Sequence, residues 1–237
     1  MTLRAPEFLD RTLWPAVLLL AGALAIFEFT DVDLALQDHF YDFAQQRWIV
    51  DGTEPVGRAL FYNIPKIGVM VTGVALLALA LGPARWRERL RLERRGLWVA
   101  VATLATVPAL AGLGKNFTNV HCPSEIRRYG GDVAYAKLCS PYPADDQPKQ
   151  KGHCFPAGHA SGGFALLALA WLRPSRRMRA VGLALGLGLG WYMGAYQMLK
   201  GAHYLSHTVT TMLLAWIVAL AWRRMLWRGW GVSSSAN

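Results

Sequence analysis

Charge is scarce in this sequence. Asp, Glu, Lys and Arg make up only 17% of the 237 residues, and they cluster between apolar runs rather than spreading along the chain. That patterning excludes one or two soluble domains as the simplest reading of the length. The 54% hydrophobic content excludes a disordered chain. Acidic residues are the rarer sign, 15 against 25 Lys and Arg, for a net charge of +10. In a soluble protein such an excess points to nucleic acid. Here the basic residues flank apolar runs, so the expected partners are anionic lipid headgroups and the bilayer, not nucleic acid. Internal repeats, low-complexity segments and a separate soluble domain are also missing, and only a Ser-rich tail after Trp230 reads as disordered.

What is present is a series of apolar runs, such as Leu13 to Phe27 and Ile67 to Leu81. About 20 apolar residues in a helix cross a hydrocarbon core of about 30 Å. Six spans are expected, at roughly 13–30, 66–82, 97–114, 158–173, 180–200 and 206–222. The fourth is short and opens on polar residues; the charges on either side of it require a crossing there. Six arginines lie between Arg85 and Arg95, four more are Arg173, Arg176, Arg177 and Arg179, three are Arg223, Arg224 and Arg228, and the N-terminus adds Arg4 and Arg11. These segments alternate along the chain and hold 15 of the 25 basic residues. The excess of arginine in short loops places them in the cytoplasm, with residues 31–65, 115–157 and 201–205 outside.

Ala23-Leu24-Ala25 resembles a signal-peptide cleavage site, but it lies inside the apolar run, and Glu7 and Asp10 dilute the basic flank. The first span is therefore expected to be retained. The expected fold class is an all-α integral membrane protein: one domain over residues 1–237, a six-helix bundle with both termini in the cytoplasm and an extracytoplasmic active-site loop. In span five, Gly182, Gly186, Gly190 and Gly194 form one smooth ridge for close helix approach. Packing within the bundle is favoured over a dimer contact, and the oligomeric state stays open.

The histidines are informative. His39 aside, His121, His153, His159, His203 and His207 all fall on the extracytoplasmic side or at the mouth of a span. Lys115 ends span three, His159 begins span four, and His203 and His207 stand four apart where span six begins, on one helix face. Ionisable groups converging at one membrane depth mark a site. Taken singly, a Lys at a span end snorkels to the headgroups. The His203/His207 pair has the spacing of zinc ligands, but Tyr204-Leu205-Ser206 between them supplies no carboxylate of the H-E-x-x-H kind, so no metal is expected. Pro156-Ala157-Gly158-His159 reads as a turn opening a helix, whose free N–H groups suit a phosphate. With Lys115 as a cationic clamp, His203 as nucleophile and His159 as proton donor, the set is that of phosphoryl transfer through a phosphohistidine.

These residues resemble the type 2 phosphatidic acid phosphatase family, six-span membrane lipid phosphatases and phosphotransferases related to vanadium haloperoxidases. The family carries three motifs: a Lys, six residues and Arg-Pro; then PSGH; then an Arg, five residues and a His followed four positions on by Asp. In this chain KNFTNVHCP keeps Lys115 but has Cys122 at the Arg position. CFPAGHASGGFA keeps Gly158 and His159, with Ala157 at the Ser position. YQMLKGAHYLSHTVTT keeps His203, with Gln197 at the Arg position and His207 at the Asp position. The resemblance implies that His203 attacks phosphorus, that His159 protonates the departing oxygen and then activates water, and that Lys115 and the Gly158 N–H hold the phosphate without metal or cofactor. Arg127 or Arg128 in SEIRRYGG, together with Lys200, is expected to replace the missing guanidinium charge. His207 is expected to orient His203 in place of the carboxylate, with less stabilisation of developing charge.

Cys122, Cys139 and Cys154 all lie in the loop 115–157 and none in a cytoplasmic segment, which fits one disulfide in an oxidising compartment. Spacing does not choose the pair; Cys122–Cys154 is favoured because each abuts a motif of the family resembled. Tyr142, Pro143, Asp145, Asp146, Lys149 and Lys151 read as a solvated cap. The expected function is hydrolysis of a lipid phosphomonoester or diphosphate, of the undecaprenyl diphosphate, lipid A, phosphatidylglycerophosphate or phosphatidic acid class, at the periplasmic face of a bacterial inner membrane. The alternatives are a lipid phosphotransferase that passes the phosphoryl group to another lipid, and a non-enzymatic membrane transporter or binding protein. The transporter class is disfavoured by the lack of midplane charges and repeated halves.

Overall fold

A computed structural model describes residues 5–228, with side chains from Thr12 to Trp227. Arg4 and the tail after Trp230 lie outside the described residues, as do the side chains of Glu7, Asp10, Arg11 and Arg228. The described chain is mostly helical. α1 (Ala5–Phe29) leads through a short α2 (Val32–Gln37) to a two-stranded antiparallel hairpin, β1 (Tyr41–Asp42) and β2 (Arg47–Trp48), in which Tyr41 faces Trp48. α3 (Pro55–Arg58) runs through one π turn, Ala59–Asn63, into α4 (Ile64–Leu81). The second apolar helix thus starts well before the expected residue 66. Glu54 caps it, accepting from the Val56 N–H at 2.9 Å, and Pro55 at the first helical position needs no N–H partner.

α5 (Ala84–Arg89) and α6 (Arg94–Phe117) follow, then a long irregular loop, α7 (Gly158–Ala165), α8 (Arg176–Leu199) and α9 (Leu205–Arg228). Among the described residues, four helices are long and apolar enough to cross a membrane: Thr12–Phe29, Pro55–Leu81, Arg94–Phe117 and Leu205–Trp227. Trp14, Leu18, Leu19 and Ile26 on α1, and Ile67, Met70, Val71 and Val74 on α4, are exposed. Apolar faces this large in an otherwise well-packed chain suit contact with lipid. The apolar helices are consistent with a membrane protein.

α7 and α8 are built differently. α7 continues as a 3-10 helix through Leu166–Trp171, and the two together rise only about 24 Å. It is the most enclosed element, with Ser161 and every residue from Gly163 to Ala170 buried among α6, α8 and α9. Close packing is possible because α8 presents its glycine ridge to it. A methyl group on Gly182 would strike the backbone of Ala170, one on Gly186 that of Leu167, and one on Gly190 the ring of Phe164. Gly194 faces Thr208, whose Cγ2 would stand 2.6 Å from an added Cβ. The ridge is therefore in use within the chain.

The arginine-bearing segments meet at one end. The Glu93 N–H donates to the Leu172 carbonyl at 3.0 Å, Arg173 donates to the Leu90 carbonyl, and Arg223 lies over the Trp171 ring at 5.6 Å. At the other end, residues 31–48 and the loop 118–157 form a cap. Arg128 is bidentate on Asp38, Lys137 pairs with Asp31 at 3.0 Å, and Tyr41, Phe43, Trp48 and Tyr129 pack edge-to-face or tilted as one aromatic cluster. Asp33, 5% exposed, accepts from the Ser206 N–H at 2.8 Å and so caps α9 from outside its own sequence. Burial raises the pKa of Asp33, and the Ser206 side chain, the Ser206 N–H and the charge of Lys137 oppose that shift.

Candidate active site

The turn between α8 and α9 delivers the nucleophile candidate. Gly201 sits at φ +74°, a left-handed helix end that glycine adopts freely, and a Cβ there would run into the Trp48 ring. The N–H groups of Ala202 and His203 both donate to the Gln197 carbonyl, at 2.8 and 3.3 Å. The chain reverses and places His203 just before α9, with His207 one turn on. Both rings are buried, at 2% and 1% exposure, and their Nδ1 atoms are 3.3 Å apart. His207 is held between Phe155 and Tyr204, each ring centroid 5.2 Å away. Burial, with His207 beside it, holds the His203 imidazole well below its ordinary pKa, so it is neutral.

The other nitrogen of His203 faces His159. Nε2 lies 3.4 Å from His159 Nδ1, across from the second residue of α7. Ala157 precedes that helix with no side-chain cap, so the first-turn N–H groups are left for a ligand. Lys115, in the last turn of α6, lies over this helix start. A Cβ on Gly158 would stand 3.3 Å from Lys115 Cε and 3.6 Å from its Nζ, so a larger residue there would press the lysine tip aside by a few tenths of an ångström.

His159, Gly158 and Lys115 form the head of a groove of about 520 Å³ between α4 and α6. Tyr62 and Lys66 also line it, and its far half is apolar, with Val69, Met70 and Leu104. Tyr62 and Lys66 were not anticipated from the sequence. A signal existed, because Lys66 stands at a span end as Lys115 does.

Other expected site residues are placed as follows. Gln197 is 1% exposed, and its amide nitrogen and oxygen have no hydrogen-bond partner among the described residues. Lys200 lies at the end of α8 over the Tyr196 ring, 5.2 Å from its centroid, beside Gly52. Arg127 and Arg128 do not join the cluster. Arg127 is held by both carboxylate oxygens of Asp146 and Arg128 by both of Asp38, on exposed loop surface, and neither lines the groove. The guanidinium compensation expected there is corrected: in the cap each arginine finds a carboxylate within reach. Tyr142 is buried rather than solvated, and its hydroxyl meets His121 Nδ1 at 2.7 Å. His153 bonds the Lys115 carbonyl, so of the five grouped histidines only His159, His203 and His207 come together.

Cys122 and Cys154 form a disulfide, and Cys139 is free and exposed. The bond lies against the nucleophile candidate, with Cys154 Sγ 3.4 Å from His203 Nδ1. Cys122, Cys154 and His203 lie within 4.8 Å of one another, but both sulfurs are engaged in the bond and do not offer a thiolate to a metal.

His207 and His203, both buried, and His159 at the start of α7 thus form a run of ring contacts beside Lys115, a set of groups suited to an anion. The sequence pattern of the PAP2 superfamily matches residues 96–230, more than half of the chain, and the chain belongs to that superfamily. Its members are phosphatases, which supports a phosphoric ester hydrolase in general terms. No curated protein and no solved structure matches the chain.

Proposed function

We propose that this protein hydrolyses the phosphate ester of a membrane lipid through a phosphohistidine on His203, at the periplasmic face of a bacterial inner membrane. The bundle crosses six times with both termini in the cytoplasm. α7 and its 3-10 extension serve as the fourth crossing, carrying the chain from the histidine end to the arginine end while neighbouring helices shield them from lipid. The gathering of arginine segments at one end supports this orientation.

The chemistry follows from which ring nitrogen faces which neighbour. With its Nδ1–H donating to His207, His203 keeps a lone pair on Nε2, the nitrogen on the His159 side. Nε2 bonds to phosphorus as the phosphorus–oxygen bond to the lipid breaks, and His159 gives a proton to the departing oxygen. His159 then takes a proton from water, the water oxygen attacks phosphorus, and the nitrogen–phosphorus bond breaks. Lys115 and the α7 N–H groups stabilise the equatorial oxygens. The unpaired Gln197 amide donates from the family's arginine position, and Lys200 adds charge at the mouth. A gap of 3.4 Å between His159 and His203 leaves no room for phosphorus. The half-buried His159 ring therefore turns aside when substrate enters.

The observation that carries this reading is the contact of His159 with His203 at the head of a groove that is cationic at one end and apolar at the other. Phosphate release by purified protein from a panel of lipid phosphates, with and without EDTA, tests it. Release that survives EDTA and is lost in both His203→Ala and His159→Ala is expected. Loss with EDTA and rescue by zinc would point to metal chemistry instead. Reporter fusions near Asp146 test the orientation, with an active periplasmic alkaline phosphatase expected.

A further inference from the structure

We propose that Lys66, with Tyr62, forms a second anion subsite on the lipid side of the reacting phosphate, and that the groove is built for a lipid diphosphate. This rests on the phosphatase reading above and names its substrate class.

The placement begins in the backbone. Tyr62 lies in the π turn Ala59–Asn63, and Lys66 follows in the first turn of α4. Single π turns inside helices re-aim side chains and recur at functional sites. The Tyr62 ring stands 5.0 Å from the His159 ring, and the Lys66 ammonium stands 5.7 Å from the Tyr62 centroid, within reach of a cation–π contact. Lys66 has no carboxylate within 4.0 Å among the described residues. The ordinary reading of such a lysine is snorkelling toward headgroups. That reading does not account for its place in the wall of the groove that holds His159 and Lys115.

The order along the α4 face is the argument. Tyr62 touches the catalytic histidine, Lys66 comes one turn later, and Met70 and Gly73 continue into the apolar half opposite Leu104. A lipid whose headgroup holds a single phosphate offers that one to His203, His159 and Lys115, and beyond it only an ester carbon, so Lys66 has no anion to meet. A lipid diphosphate places its inner phosphate one step from the reacting one, between it and the chain. In the reaction Nε2 of His203 bonds to the outer phosphorus and the bridging oxygen leaves as lipid monophosphate, gaining negative charge as that bond breaks. A lysine beside that oxygen stabilises the developing charge. It also supplies a cation to a site whose two family arginine positions hold Cys122 and Gln197.

The test compares geranylgeranyl diphosphate with geranylgeranyl monophosphate in the same detergent micelles, so that only the headgroup differs. Lys66→Met is expected to lower kcat/KM for the diphosphate at least tenfold more than for the monophosphate, and Lys66→Arg to restore most of the difference. Lys149→Met, the same charge removed from an exposed loop, is expected to leave the ratio unchanged. Equal losses on both lipids in Lys66→Met, or no loss on either, would overturn the subsite. Binding of the two lipids to His203→Ala protein, with and without Lys66→Met, judges the subsite independently of turnover. Selective weakening of diphosphate binding by at least tenfold supports it, and equal binding overturns it. Failure of the wild type to release phosphate from any lipid would refute the phosphatase reading, and the binding arm would still decide the subsite.

Discussion

The cap and the groove use positive charge in opposite ways, although they share one end of the molecule. In the cap every described ion pair is closed: Arg127 on Asp146, Arg128 on Asp38, Lys137 on Asp31. In the groove, Lys66 and Lys115 have no carboxylate within 4.0 Å among the described residues. Both cap arginines, with their planar fork, and one cap lysine hold loop to loop, while the groove lysines carry no such partner. The difference teaches that the number of nearby basic residues says little about a phosphate site; what counts is which of them lack a carboxylate.

Removing a groove lysine is the strongest way to break the comparison. Lys115→Met should lower kcat/KM at least a hundredfold, about 2.7 kcal/mol of transition-state stabilisation, with the thermal midpoint in detergent little changed. Opening the disulfide should act on stability as well as on the site, since Cys154 lies against His203. Cys122→Ser combined with Cys154→Ser releases a tie between residues 32 apart, and a loss of about 2–4 kcal/mol is expected in denaturant or thermal unfolding.

Helix packing gives a smaller contrast. An added methyl on Gly190 meets the Phe164 ring, whereas one on Gly188 meets nothing within 4 Å. Gly190→Ala should cost about 1–3 kcal/mol by overpacking, and Gly188→Ala should be neutral or stabilise by up to about 1 kcal/mol through helix propensity; paired melting curves check the sign of each.

The smallest effect is expected at the cap arginines. Arg127→Ala and Arg128→Ala should leave turnover within about threefold, since exposed pairs contribute at most about 1 kcal/mol. The hydrogen bond from Arg128 holds Asp38 below its ordinary pKa of 3.8. A depressed carboxylate stabilises the fold above its unfolded pKa and loses that contribution as pH falls through the lowered value. The gap in stability between wild type and Arg128→Ala should therefore be full near neutrality and close below about pH 4. A tenfold loss of turnover in Arg127→Ala or Arg128→Ala would erase the contrast between cap and groove.

Much of the helix layout was legible in the sequence because long apolar runs bounded by arginine leave few alternatives. Residues 97–114 lie within α6 and 206–222 within α9. α7 was harder, since glycine and alanine weaken its hydropathy for the same reason that they let it sit buried at the centre. His159 and His203 were singled out by the resemblance and by their expected place at the mouths of spans, and the structure brings their rings together. Arg127 and Arg128 misled because their partners, Asp146 and Asp38, are 19 and 90 residues away in the chain. Tyr62 and Lys66 were missed because nothing local ties them to His159; the link is the packing of α4 against α6 and α7.

Trapping the phosphoenzyme tests the central claim most directly. Purified protein mixed with a lipid substrate labelled on the reacting phosphate, quenched within milliseconds and digested under alkaline conditions, should yield one acid-labile phosphopeptide carrying His203. The label should persist longer in His159→Ala and be absent in His203→Ala. Label on another residue, or phosphate release by His203→Ala at the wild-type rate, would contradict the account.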